Sequence, residues 1–205
     1  MSHVVMQAAE FPSADLAKRC EEELRALFEE YERFEATDPN PWATDRVAPP
    51  LAAFGERHRV IWPNDASSRF TIKGSFNEEA HLLRVDRMVF FWAAGFDLGG
   101  KTLRSILHKL GAQAVVGEGA CHLEIRHDDP KARAEELAEF LCAEDFDDQF
   151  TLTHDAPANS TEYFSITVKG RDHQSRLDFD DSGVQDWAFV ALLPQLTDED
   201  PTLVR

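Results

Sequence analysis

The run from His81 to Ala94 constrains the fold more than any other stretch of this chain. It holds Leu82, Leu83, Val85, Met88, Val89, Phe90, Phe91 and Trp92. A membrane-spanning helix needs about 18 to 20 apolar residues. The longest apolar candidate, Met88 to Phe96, which overlaps its end, is interrupted by Gly95 well before that length. With its aromatic residues and valines it predicts a central strand, buried on both faces. A chain with such a strand must build a sheet around it.

Further runs supply the other strands. Arg59 to Trp62 stops at Pro63, and Arg69 to Phe76 alternates with Phe70 and Ile72 on one face. Ala112–Val116 and Ala120–Arg126 flank Gly117-Glu118-Gly119, which predicts a hairpin. Phe150–His154, Glu162–Lys169 and Arg176–Phe179 follow, with Gly170-Arg171-Asp172 as a turn.

Helices are spaced among them. Residues 13–36 carry Leu16, Cys20, Leu24, Leu27, Tyr31 and Phe34 at steps of three and four, with Ser13 as N-cap. Pro39, Pro41, Pro49 and Pro50 mark 37–50 as a loop, with Trp42 pinning it to the body and a short helix after it at 50–56. Lys101–Leu110 ends at Gly111. Pro130–Ala143 starts with Asp129 as cap and Pro130 at the first position. Val184–Leu193 comes before Pro194 and an acidic tail. From about residue 85 to 155 the order is strand, helix, strand, strand, helix, strand. That order predicts a ferredoxin-like, split βαβ segment in a largely antiparallel sheet. The expected class is α+β, in one domain over residues 1–205, with the helix 13–36 and the Pro-rich loop 37–50 packed on it.

Charge narrows the partners. The formal charge is −17, and residues 127–205 carry 19 Asp and Glu against six Lys and Arg. Such a surface repels nucleic acid. It attracts a basic protein and speeds its approach. Three widely spaced cysteines, Cys20, Cys121 and Cys142, form no Cys-x-x-Cys pair. The N-terminal residues show no signal-peptide pattern, so the expected location is the cytoplasm, with no membrane association.

Motifs for chemistry are few. His127-Asp128-Asp129, Asp145 to Asp148 and Asp178 to Gly183 lack the Gly and Glu pattern of a calcium loop, and no His pair has zinc spacing. Cys121 and His122 are adjacent, so on a strand they face opposite ways and form no dyad. No metal, cofactor or catalytic residue is expected. One stretch, Gly95-Phe96-Asp97-Leu98-Gly99-Gly100-Lys101-Thr102, satisfies G-x-x-x-x-G-K-[ST]. These eight residues resemble the phosphate loop of small GTPases and other P-loop NTPases. The resemblance implies a nucleotide held by Gly95, Gly100, Lys101 and Thr102. It also requires parallel strands around the loop. No guanine-reading N-K-x-D accompanies it.

The remaining feature is acid beside large rings: Asp145-Phe146-Asp147-Asp148, Asp178-Phe179-Asp180-Asp181 and Asp186-Trp187. Aromatic anchors ringed by charge are how proteins capture basic enzymes. The expected function is a non-catalytic immunity or inhibitor protein, similar in composition to bacterial immunity proteins, that occludes a basic toxin or nuclease. Asp145, Asp147, Asp148, Asp178, Asp180 and Asp181 are the expected contact residues. The other readings are the nucleotide-binding protein above and a secretion chaperone or adaptor, which would show an exposed apolar groove.

Overall fold

The long apolar run is two strands, not one. In the computed structural model, β2 (Ala80–Val85) turns at Asp86-Arg87 into β3 (Met88–Ala94), and the two pair antiparallel with Val85 opposite Met88. Asp86 holds φ at 47°, a left-handed conformation that Asp tolerates better than most residues. The polar pair inside the run is what folds it back. The structure describes residues 4–40, 46–62, 80–94, 99–117, 121–155, 164–179 and 187–204. The fold is α+β, with a long N-terminal helix and antiparallel and mixed sheets. The chain divides into two compact units, Met1–Glu118 and Gly119–Arg205.

The first unit contains β1 (Val4–Glu10), α1 (Ala14–Thr37), α2 (Pro49–His58), β2, β3, α3 (Gly99–Lys109) and β4 (Ala114–Gly117). Its sheet order is β2-β3-β1-β4, with every neighbouring pair antiparallel. This is the split βαβ arrangement, since β1 lies between β3 and β4, the strands that α3 connects. Its frame is Val4–Gly117, not residues 85–155. The displacement has a simple cause. Gln7-Ala8-Ala9-Glu10 has poor strand propensity and hides β1, although Gln7, Ala8 and Ala9 are fully buried. The count of strands therefore started too late in the chain.

Ser13 caps α1 by accepting from the Leu16 amide at 3.3 Å. The apolar stripe is buried as expected at Cys20, Leu24, Leu27 and Tyr31. It packs in one core with Ala9, Val89 and Phe91 of the sheet, with Ile106 and Leu107 of α3, and with Leu51 and Phe54 of α2. Residues 59–62 form no strand. Arg59 takes a left-handed conformation that ends α2, and the Val60 amide donates back to the Gly55 carbonyl. The expected strand 69–76 and the pinning role of Trp42 lie outside the described residues.

The second unit contains β5 (Cys121–Arg126), α4 (Pro130–Ala143), β6 (Phe150–His154), β7 (Phe164–Lys169), β8 (Gln174–Phe179), α5 (Trp187–Leu192), a 3-10 turn (Leu193–Leu196) and β9 (Thr202–Leu203). Its sheet order is β6-β8-β7-β5-β9. β5 and β7 run parallel, and the other pairs are antiparallel. β4 and β5 thus belong to different sheets, and Gly117-Glu118-Gly119 does not join paired strands. Leu123, Ile125, Ile166, Val168, Leu177 and Phe179 are buried on one face with Leu137 and Leu141 of α4. Phe189 of α5 packs tilted against Phe164 and edge-on against Phe179, with ring centroids at 5.1 and 5.4 Å. The expected acidic tail is also part of this fold. Leu193 and Leu196 are fully buried, and β9 pairs with β5.

Candidate functional site

The acidic residues between 135 and 148 sit on α4 and the turn that ends it. The helix starts as its sequence dictates. Asp129 accepts from the Ala132 amide at 3.0 Å, and Pro130 holds the first position. Arg133 in the second turn donates to Glu199 at 2.7 Å, to Glu136 at 2.7 Å and to the Gln195 carbonyl at 3.0 Å. Burial alone would lower its pKa, but the hydrogen bonds and charges of Glu199 and Glu136 outweigh that and raise it above the ordinary value. The N-terminal half of α4 is therefore electrically balanced.

Its C-terminal end is not. The Phe146 amide donates to the Leu141 carbonyl at 2.9 Å, and the Asp145 amide to the Cys142 carbonyl at 3.3 Å. This is the two-bond Schellman closure, with Asp145 in the left-handed position at φ 61° that glycine usually fills. Phe146 folds back half-buried, while Glu139, Glu144, Asp145, Asp147 and Asp148 stay exposed. No basic residue lies in the last turn. Among the described residues, none of these five carboxylates forms an ion pair, whereas Glu135 and Glu136 upstream do. The helix dipole puts partial negative charge at this end and favours cations there. These five carboxylates, one of them an Asp in glycine's place, act against stability.

The remaining expected contact residues divide. β6 leaves this turn and enters the sheet with Phe150 opposite Phe179 and Thr151 opposite Asp178. The turn bearing Asp147 and Asp148 thus leads to the sheet end where β8 finishes. Asp178 itself is committed elsewhere. Its Oδ2 accepts from Arg176 Nε at 2.8 Å, and its side chain is only 15% exposed. Asp180 and Asp181 lie outside the described residues. Reading the sequence by Asp-Phe-Asp clusters missed Glu139 and Glu144. Part of the signal was available, because Glu135 and Glu139 lie four residues apart on the exposed side of α4, and Glu144 caps its end.

Other chemistry is weakly provided for. Cys121 faces the helices and His122 the opposite side of the sheet, where its Nδ1 lies 2.8 Å from Ser165 Oγ. Burial pushes the Cys121 thiol up, and burial with Glu21 and Glu23 pushes Cys20 up to about 12. Neither is poised as a thiolate nucleophile. Among the described residues no group of three His, Cys, Asp or Glu is placed to hold a metal ion, and no helix is long and apolar enough to cross a membrane. Gly95 lies outside the described residues. Gly100, Lys101 and Thr102 fall in the first turn of α3. The strand before them, β3, is antiparallel to both of its neighbours, so the parallel setting of a nucleotide-binding phosphate loop does not surround them. The chain matches no family model, no curated protein and no solved structure.

Proposed function

We propose that this chain is a non-catalytic binding protein of the cytoplasm that neutralises a basic partner, a toxin or nuclease, by laying the acidic end of α4 over its cationic active site. The observation behind this reading is the set of five exposed carboxylates at a helix C-terminus that form no ion pair among the described residues. Stability alone would select cations and a glycine there. A cationic partner would offset the charge repulsion and the dipole mismatch on binding, and the backbone cost at Asp145 would remain. The −17 charge of the chain supplies long-range attraction, and the cluster supplies the local contact. Phe146, half-buried among the carboxylates, is the aromatic anchor of the surface.

Co-purification from a lysate of the source cell tests the reading, using wild type and a Glu144→Lys/Asp147→Lys/Asp148→Lys variant at low and moderate salt. The expected result is one basic protein retained by wild type in a fixed ratio, weakened by salt and lost with the variant. Retention of the same proteins by both forms, or of no basic protein, would remove the basis for the proposal.

A further inference from the structure

A cationic cleft lies in this acidic unit, away from the turn that ends α4. β5 and β7 run parallel and finish side by side, with Arg126 opposite Lys169. Ligand crevices in sheets with parallel strands open beyond the carboxyl ends of those strands. Here that position holds a cleft of about 830 Å³ lined by Arg126, His127, Asp128, Lys169, Gly170 and Arg171. The size falls within the range of small-molecule sites.

Backbone contacts build its walls. The His127 amide donates to the Lys169 carbonyl at 3.0 Å, and the Gly170 amide to the His173 carbonyl at 2.9 Å. A Cβ on Gly170 would lie 2.9 Å from Cδ of Pro130, so the 170–173 turn runs hard against the first turn of α4. Only glycine permits that approach.

The cations in this unit are unevenly used. Lys131 pairs with Glu135, Arg133 with Glu199 and Glu136, Lys169 with Glu124, and Arg176 with Asp178. Among the described residues, Arg126 and Arg171 pair with no carboxylate. Both are exposed, and both line this cleft. In a unit where acids outnumber bases, as 20 to seven over residues 119–205, unpaired guanidinium groups are unexpected. Each guanidinium offers a planar fork of donors that suits an oxyanion, and this cleft brings two of them to one place. Lys169 adds charge that it shares with Glu124, and Asp128 subtracts one unit. Among the described residues no Phe, Tyr or Trp lines the cleft.

We infer that the cleft formed by Arg126, Lys169 and Arg171 is a binding site for a small multivalent oxyanion, bridged by the two guanidinium groups. The shared chemistry is a compact group with two or more negative oxygens, from a phosphate or from a polycarboxylate. The site is independent of the proposed partner surface, and its test does not depend on that partner.

Calorimetric titration at constant ionic strength tests it, with inorganic phosphate and pyrophosphate in one arm and citrate in the other. Wild type is expected to bind at least one of them saturably at a single site. Arg126→Ala and Arg171→Ala should each weaken that binding by about tenfold or more. Lys131→Ala, which removes an exposed cation outside the cleft, should leave it unchanged. Tighter binding in the phosphate arm assigns the natural ligand to phosphates, and tighter citrate binding assigns it to carboxylates. Circular dichroism confirms that the two Arg variants, both at exposed positions, remain folded. No saturable binding in either arm, or binding indifferent to both substitutions, overturns the inference.

Discussion

Asp145 carries the local conflict in its own backbone. A left-handed conformation costs an L-residue about 1 to 2 kcal/mol, and Asp somewhat less because its short side chain tolerates it. Asp145→Gly keeps the two closing hydrogen bonds and removes both that cost and a repelling charge. It should stabilise the protein by about 1 kcal/mol, read as a higher urea midpoint at unchanged slope. Gly55 is the opposite case. It lies inside α2, where Ala would be the better helix former. A Cβ there would meet the Val60 carbonyl at 2.8 Å and Trp62 Nε1 at 2.9 Å. Gly55→Ala should therefore destabilise by about 1 to 3 kcal/mol, measured in the same way. His122 gives a pH dependence. Burial, opposed by Asp178 and aided by Arg176, holds its imidazole below the ordinary 6.5. The unfolded chain then binds the proton more readily, so this contribution to stability is present above 6.5 and is lost as pH falls through the folded value. Urea midpoints of His122→Gln should fall less steeply than wild type between about pH 7 and 5. Residues of this kind were only partly legible in sequence. The acidity around Asp145 was plain, but its left-handed backbone was not, because nothing in Glu-Asp-Phe marks a closure that glycine usually makes.

Elements with strong caps or long apolar stripes were read correctly, and those defined by their neighbours were not. α1 and α4 announce themselves through Ser13, Asp129 and Pro130, and Phe150–His154 through its alternation. β1 did not, because its centre is Gln and Ala and its role comes from lying between β3 and β4. The hairpin in 80–94 was hidden for a related reason: both strands are so apolar that only Asp86-Arg87 separates them. The C-terminal segment looked like a charged tail, yet it is held by buried Leu193 and Leu196 and by the hydrogen bonds of Arg133 to Glu199 and the Gln195 carbonyl. Both charged side chains of that pair are 15% exposed. Arg133→Met should cost about 2 to 3 kcal/mol, seen as a lowered urea midpoint with early loss of protection from amide exchange over residues 195–203.

For the whole molecule, charge was the most legible property and its placement the least. Composition gave −17 and its concentration after residue 127, but not which carboxylates are already neutralised. Asp178 is bonded to Arg176, while Glu139 and Glu144, outside the Asp-Phe-Asp pattern, form no ion pair among the described residues. Nor did composition reveal that two of the few cations share one cleft. On the proposed reading this surface is acidic for binding and at the expense of stability, which separates stability from capture. The most direct measurement is therefore made on one variant with two readouts. Glu144→Lys places a cation at the C-terminus of α4, where the dipole favours it by about 0.3 to 1 kcal/mol. The account predicts a higher unfolding free energy together with weaker retention of the basic partner at low salt. A variant that is more stable and retains the partner as well as wild type would contradict it.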